Sequence, residues 1–230
     1  MNIAKTTAII FLLFLLGTTA QAQGTETRTP GSFTHVESGG SWDVFIKKGS
    51  KDEVKLVSTN ISLNKVLTEV DGDELKISLE RGSYEKLGLT VYVTVRNLDG
   101  IGTSGSGDMI VESDFGADEF SIGLSGSGKI EMKNIMAEEI NIGMSGSGNV
   151  TIAGGSAEVI TIGQSGSGIL NALELKGESV NVGKSGSGET YIGVTESLTV
   201  GSSGSGNVYY KGNPGEKKIG SSGSSRVIQK

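Results

Sequence analysis

The chain carries one histidine, His35, and no cysteine in 230 residues. That removes most nucleophile and zinc chemistry, because a Ser-His-Asp or Cys-His relay needs a histidine beside its nucleophile and thiolate zinc sites need cysteine. No such relay can be assembled around His35, which reads as a surface or cap residue. Carboxylates are the remaining candidates. Asp114, Asp118, Glu119, Glu138, Glu139, Glu158 and Glu178 recur in corresponding segments. With coils stacked in register, Glu119, Glu139 and Glu158 could fall along one edge. Paired carboxylates suit polysaccharide cleavage, whereas a solvated acidic rim is the plainer reading. Calcium stacking needs a carboxylate at one fixed turn position in each repeat. Here that position holds Asp108, Lys129, Asn149, Ile169, Glu189 and Asn207, which does not repeat as an acid. Gly123-Leu124-Ser125-Gly126-Ser127-Gly128 has only a superficial likeness to a phosphate loop, since no helix and no Gly-Lys-Ser/Thr follow. No catalytic residue, metal ligand or cofactor is therefore assigned, and the binding residues stay unknown.

The elements that carry these residues are repeats. Ser-Gly-Ser-Gly begins at Ser104, Ser125, Ser145, Ser165, Ser185 and Ser203, and a degenerate copy begins at Ser222. Before each copy stands an aliphatic-glycine pair such as Ile122-Gly123, Ile142-Gly143 or Val182-Gly183. Apolar residues alternate on both sides, as in Phe120 and Ile122 before the corner and Ile130 and Met132 after it. Period two is the strand signature. Helix is excluded by that spacing and by three glycines in six residues, each costing about 1 kcal/mol relative to alanine. Glycine suits a sharp bend and close backbone approach. Each coil of about 20 residues is expected to hold two longer strands and a short third. One apolar residue would serve most of the short segments, such as Phe115, Met136, Leu175 or Val194. Stacked coils share a continuous interior that no single coil can bury. The expected fold is all-β, a right-handed parallel β-helix or β-solenoid with an N-terminal β cap.

The domain reading is residues 1–22 as a signal peptide and 23–31 as a disordered leader. Residues 32–100 form a β cap or irregular coils, and 101–230 the regular solenoid. Lys5, the apolar run Ile9 to Leu16 and Ala20-Gln21-Ala22 have the order of an export leader, and the run is too short to span a bilayer. Asp71-Gly72-Asp73 reads as a hairpin turn, and Trp42 as cap core. Lys211, Lys217, Lys218, Arg226 and Lys230 crowd the far edge, as edge protection would require.

Net charge is −6, with 20 basic and 26 acidic residues. Interspersed acidic charge disfavours nucleic acid, which needs clustered cations. With no cysteine to acylate, the chain is not expected to be a lipoprotein.

The corner repeat, the flanking Ser121-Ile122-Gly123, Asn141-Ile142-Gly143 and Thr161-Ile162-Gly163, and the early strand Asp43-Val44-Phe45-Ile46 resemble the putative auto-transporter adhesin, head GIN domain family, a domain of unknown function common in Bacteroidota. The resemblance spans about residues 32 to 225. It implies a right-handed β-helix-like fold in an exported protein and supplies no active-site residues. The functional expectation is an exported, non-catalytic scaffold of the adhesin or envelope-binding kind. Its partner would be a glycan or cell-envelope component, in the periplasm, at the outer surface or secreted. The rival is a carbohydrate-active β-helix enzyme, a polysaccharide lyase or glycosidase. No membrane span is expected after leader cleavage, and the oligomeric state is open.

Overall fold

A computed structural model describes residues 24–84 and 87–230. The leader expected over residues 1–22 lies outside them. Alternation sets the architecture, because in each repeat every second residue faces inward and is buried. Phe120, Ile122, Leu124, Ile130 and Met132 are at most 3% exposed, and their counterparts one coil on behave alike. The protein is an all-β solenoid of about 6 turns.

Each coil has three walls. Strands β10 (Phe115–Gly126), β12 (Ile135–Gly146) and β14 (Gly155–Gly166) each supply a short wall, bend at Asp118, Glu138 or Glu158, and continue as the long wall. The third wall is built from β11 (Lys129–Met132), β13 (Asn149–Ile152) and the starts of β15 (Ile169–Gly186) and β16 (Glu189–Gly204). The last coil is β17 (Val208–Lys211), β18 (Glu216–Gly223) and β19 (Val227–Gln229). Pairing is parallel and in register: Ser125↔Ser145, Ser145↔Ser165, Ser165↔Ser185, Ser185↔Ser203 and Ser203↔Ser222. The 18-residue step from Ser185 to Ser203 is absorbed by register shifts between Ala172 and Lys176 and between Gly177 and Ser179.

The cap does not follow chain order. Its strands are β1 (Gly24–Arg28), β2 (His35–Ser38), β3 (Asp43–Lys48), β4 (Glu53–Ser58), β5 (Val66–Asp71), β6 (Glu74–Leu79) and β7 (Leu89–Val95). They lead into β8 (Gly100–Thr103) and β9 (Met109–Val111). β2 lies between β6 and β8, and β3 between β7 and β9, so the first coil in sequence is the second in space. The end layer is finished by antiparallel additions, β5 on β6 and β4 on β7, with β1 on β4. Gly72, at φ 66°, makes the β5–β6 turn.

Two expectations need correction. Residues 23–31 were expected to be disordered, yet Gly24–Arg28 forms β1. Its polar residues serve as an edge strand, and Arg28 anchors it by donating to the carbonyls of Val66 (2.5 Å) and Leu63 (2.7 Å). The inward residue of the second short wall is Ile135, fully buried, while Met136 is 56% exposed. The pairing Phe115↔Ile135↔Gly155 decides this, since a shift of one residue in a strand reverses every side chain. Trp42 is core, 3% exposed. No helix of the described residues is long and apolar enough to cross a membrane.

Candidate binding surface

The outer face of the long wall shows three straight rows along the stack. The first runs Ser121, Asn141, Thr161, Asn181, Thr199 and Lys218; the second Gly123, Gly143, Gly163, Gly183, Gly201 and Gly220; the third Ser125, Ser145, Ser165, Ser185, Ser203 and Ser222. Successive members sit about 4.8 Å apart, the strand spacing.

The glycines divide into two kinds. At the corner, Gly146 has φ 103°, and a Cβ there would lie 2.5 Å from the Gly126 carbonyl oxygen. That oxygen is held from the next coil by the N–H groups of Ser147 and Gly148, both at 3.0 Å, and the same two-donor grip recurs at the other corners. Corner glycine is a structural necessity. In the middle row nothing forces glycine. A Cβ would meet no atom within 4 Å at Gly163 or Gly201, and none nearer than 3.8 Å at Gly123, Gly143 or Gly183. Glycine weakens a strand interior, so a row of them without steric cause needs another explanation. Its physical result is a trough of bare backbone between a serine row and a row of hydroxyls and amides. Shallow depressions of about 430, 390 and 380 Å³ lie along it.

At the cap end the trough is filled from within. A Cβ on Gly102 would fall 1.9 Å from Glu37 Oε1, and one on Gly100 would fall 1.9 Å from His35 Nδ1. Both side chains therefore lie over bare backbone of the next strand. His35 Nε2 is 3.3 Å from Glu37 Oε1. That hydrogen bond, with the charges of Glu37, Glu74 and Asp99, raises the imidazole pKa above its usual 6.5 against the opposing effect of burial. A depression of about 500 Å³ beside it is lined by His35, Asp73, Asp99, Asp118 and Glu119. The described residues contain no group of three or more His, Cys, Asp or Glu placed to hold a metal ion.

The carboxylates do not stack as the sequence spacing suggested. Glu119 pairs with Glu139, but Glu139 pairs with Val159. Glu158 stands one position back, at the bend, level with Asp118, Glu138 and Glu178. The aligned pair is tied down, because the Asn141 amide donates to both Glu119 (3.1 Å) and Glu139 (3.0 Å).

Sequence reasoning missed a second feature. On the third wall Tyr191 and Tyr209 stack at 4.6 Å with an 11° interplanar angle. The Tyr191 hydroxyl donates to Glu189 at 2.7 Å, which pushes its pKa up to about 12. Lys230 Nζ lies 5.0 Å from both ring centroids. The alternating pattern Thr190-Tyr191-Ile192 and Val208-Tyr209-Tyr210 marked both rings as outward facing. Each ring thus covers one face of the other, with the Lys230 ammonium beside both.

The profile of the family described as putative auto-transporter adhesin, head GIN domain matches residues 32–214. The chain belongs to this family. Solved structures show a likeness of fold. A putative adhesin from Bacteroides fragilis is similar with a TM-score of 0.84 and 20% identity, over 90% of this chain and 97% of that one. A putative adhesin from Parabacteroides merdae aligns at 0.73 and 18%, over 90% and 96%. A protein named a putative lipid binding protein, from Parabacteroides distasonis, aligns at 0.70 and 22%, over 89% and 96%. At these identities the likeness concerns the fold of the head GIN domain. No curated protein matches the chain.

Proposed function

We propose that this head GIN domain is an exported, non-catalytic binding scaffold. It would take an extended glycan or another cell-envelope polymer along the glycine trough of its long wall. The observation that carries this reading is the run of outward glycines, Gly123 to Gly220, which neither packing nor the backbone requires. A bare strip flanked by hydroxyls and amides offers hydrogen bonds at every coil, and a polymer with a repeat near 4.8 Å could meet equivalent groups at each step. The acidic bend beside it favours an uncharged or amino-bearing polymer over an anionic one. The adhesin names of the family and of its structural relatives agree with this reading. Export rests on the leader pattern of residues 1–22.

The test is a glycan array combined with capture of envelope polymers by the immobilised protein, with polysaccharide turnover assayed in parallel. Binding without turnover is the expected result. An empty array together with an empty capture would sink the proposal. Turnover lost in both Glu139→Gln and Glu158→Gln would replace it with an enzyme.

A further inference from the structure

Among the described residues, four strands are paired on one side only: β1 and β5 at the cap end, and β18 and β19 at the other. The long wall thus runs from β5 to β18 and the third wall from β1 to β19. At the far end the interior is uncovered. Ile219 is 49% exposed, whereas Val200, Val182 and Ile162, its equivalents in the preceding coils, are at most 3% exposed. All eight residues of β18 are exposed, and Val227 of β19 is only half-buried.

The two ends carry opposite charge. Residues 211–230 hold Lys211, Lys217, Lys218, Arg226 and Lys230 against Glu216 alone, in a chain whose net charge is −6. The β5–β6 hairpin holds Glu69, Asp71, Asp73 and Glu74 against Lys76. Lys217 and Arg226 have no carboxylate partner within the chain among the described residues, and neither Glu69 nor Asp73 has a cation. Lysines on an edge strand repel indiscriminate pairing and leave room for an acidic partner.

We propose that the C-terminal coil of one molecule docks on the N-terminal cap of a second copy, β18 beside β5 and β19 beside β1. Both walls then continue across the junction, the exposed end of the interior around Ile219 is covered, and Lys217 and Lys218 face Glu69, Asp71 and Asp73. The two surfaces differ, so the contact is heterologous and grows into a linear stack rather than closing as a dimer. The proposal is independent of what the glycine trough binds.

Sedimentation velocity and electron microscopy across protein concentration test it. Linear oligomers should grow with concentration at low salt and dissolve near 1 M salt, where the screening length falls to about 3 Å. The charge reversals Lys217→Glu/Lys218→Glu and Glu69→Lys/Asp71→Lys should each abolish assembly, and mixing the two variants should restore it. Ile219→Lys, in an already exposed position, should also block stacking, with circular dichroism confirming the fold of every variant. A monomer at all concentrations, a closed dimer, or assembly indifferent to charge reversal would overturn the proposal.

Discussion

At the scale of single residues, the two kinds of glycine make opposite predictions. Gly166→Ala puts a Cβ 2.2 Å from the Gly146 carbonyl oxygen at φ 117°. It should cost about 2–4 kcal/mol, read as a lower urea midpoint. Gly163→Ala, with nothing within 4 Å, should leave stability unchanged or raise it by about 0.5–1 kcal/mol. Lys184 is a third informative position. It occupies the inward slot that holds Leu124, Met144 and Gln164 in earlier coils, and it is buried with its ammonium donating to the Gly188 carbonyl. Desolvation lowers its pKa below the usual 10.5. In the window between the lowered folded value and 10.5 the unfolded chain binds the extra proton, so stability rises with pH there. Lys184→Met should remove that alkaline rise in melting temperature; a rise of equal size in the variant would refute the assignment. The sequence revealed the corner glycines through their spacing. It could not separate required from unrequired glycines, because that depends on what a Cβ would meet from the neighbouring coil.

At the scale of the element, the coil is the unit, and its register is set by period-two burial on every wall. Removing residues 135–154 takes out one whole coil and joins Asn134 to Gly155, the position paired with Ile135. That variant should still fold and melt cooperatively, since each coil contacts only its neighbours. Removing 135–153 shifts the following strands by one residue and should abolish the cooperative melt. The seam between cap and repeat has its own titration. The pKa of His35 is raised by Glu37, Glu74 and Asp99, so its stabilising contribution is complete below the unfolded value of 6.5 and is lost as pH rises through the folded one. The melting temperature should therefore fall as pH rises through neutrality, and His35→Gln should flatten that dependence. The repeat strands were legible because inward and outward residues alternate along each wall. The cap was not. The insertion of β2 between β6 and β8 is a non-local choice that leaves no periodic trace. The alignment of Glu158 was misjudged because a spacing near 20 cannot distinguish the bend from the position just past it.

At the scale of the whole molecule, the regular coils form a rod of bare-backbone strip, acidic bend and basic open end, with the cap covering only one terminus. The all-β solenoid class and the corner repeat were legible in the sequence, whereas the candidate binding face emerged only once the coils were stacked. The claim on which the functional account rests is that the trough, rather than the acidic bend or the tyrosine pair, makes the contact. The most direct measurement is the affinity of a Gly143→Thr/Gly163→Thr/Gly183→Thr variant for whatever envelope polymer the native protein captures. Outward threonines suit a strand, so the account predicts a retained circular dichroism spectrum and an unchanged or higher melting temperature. Binding should nonetheless weaken by at least about tenfold, roughly 1.4 kcal/mol. A folded variant that binds as tightly as the native protein would contradict it.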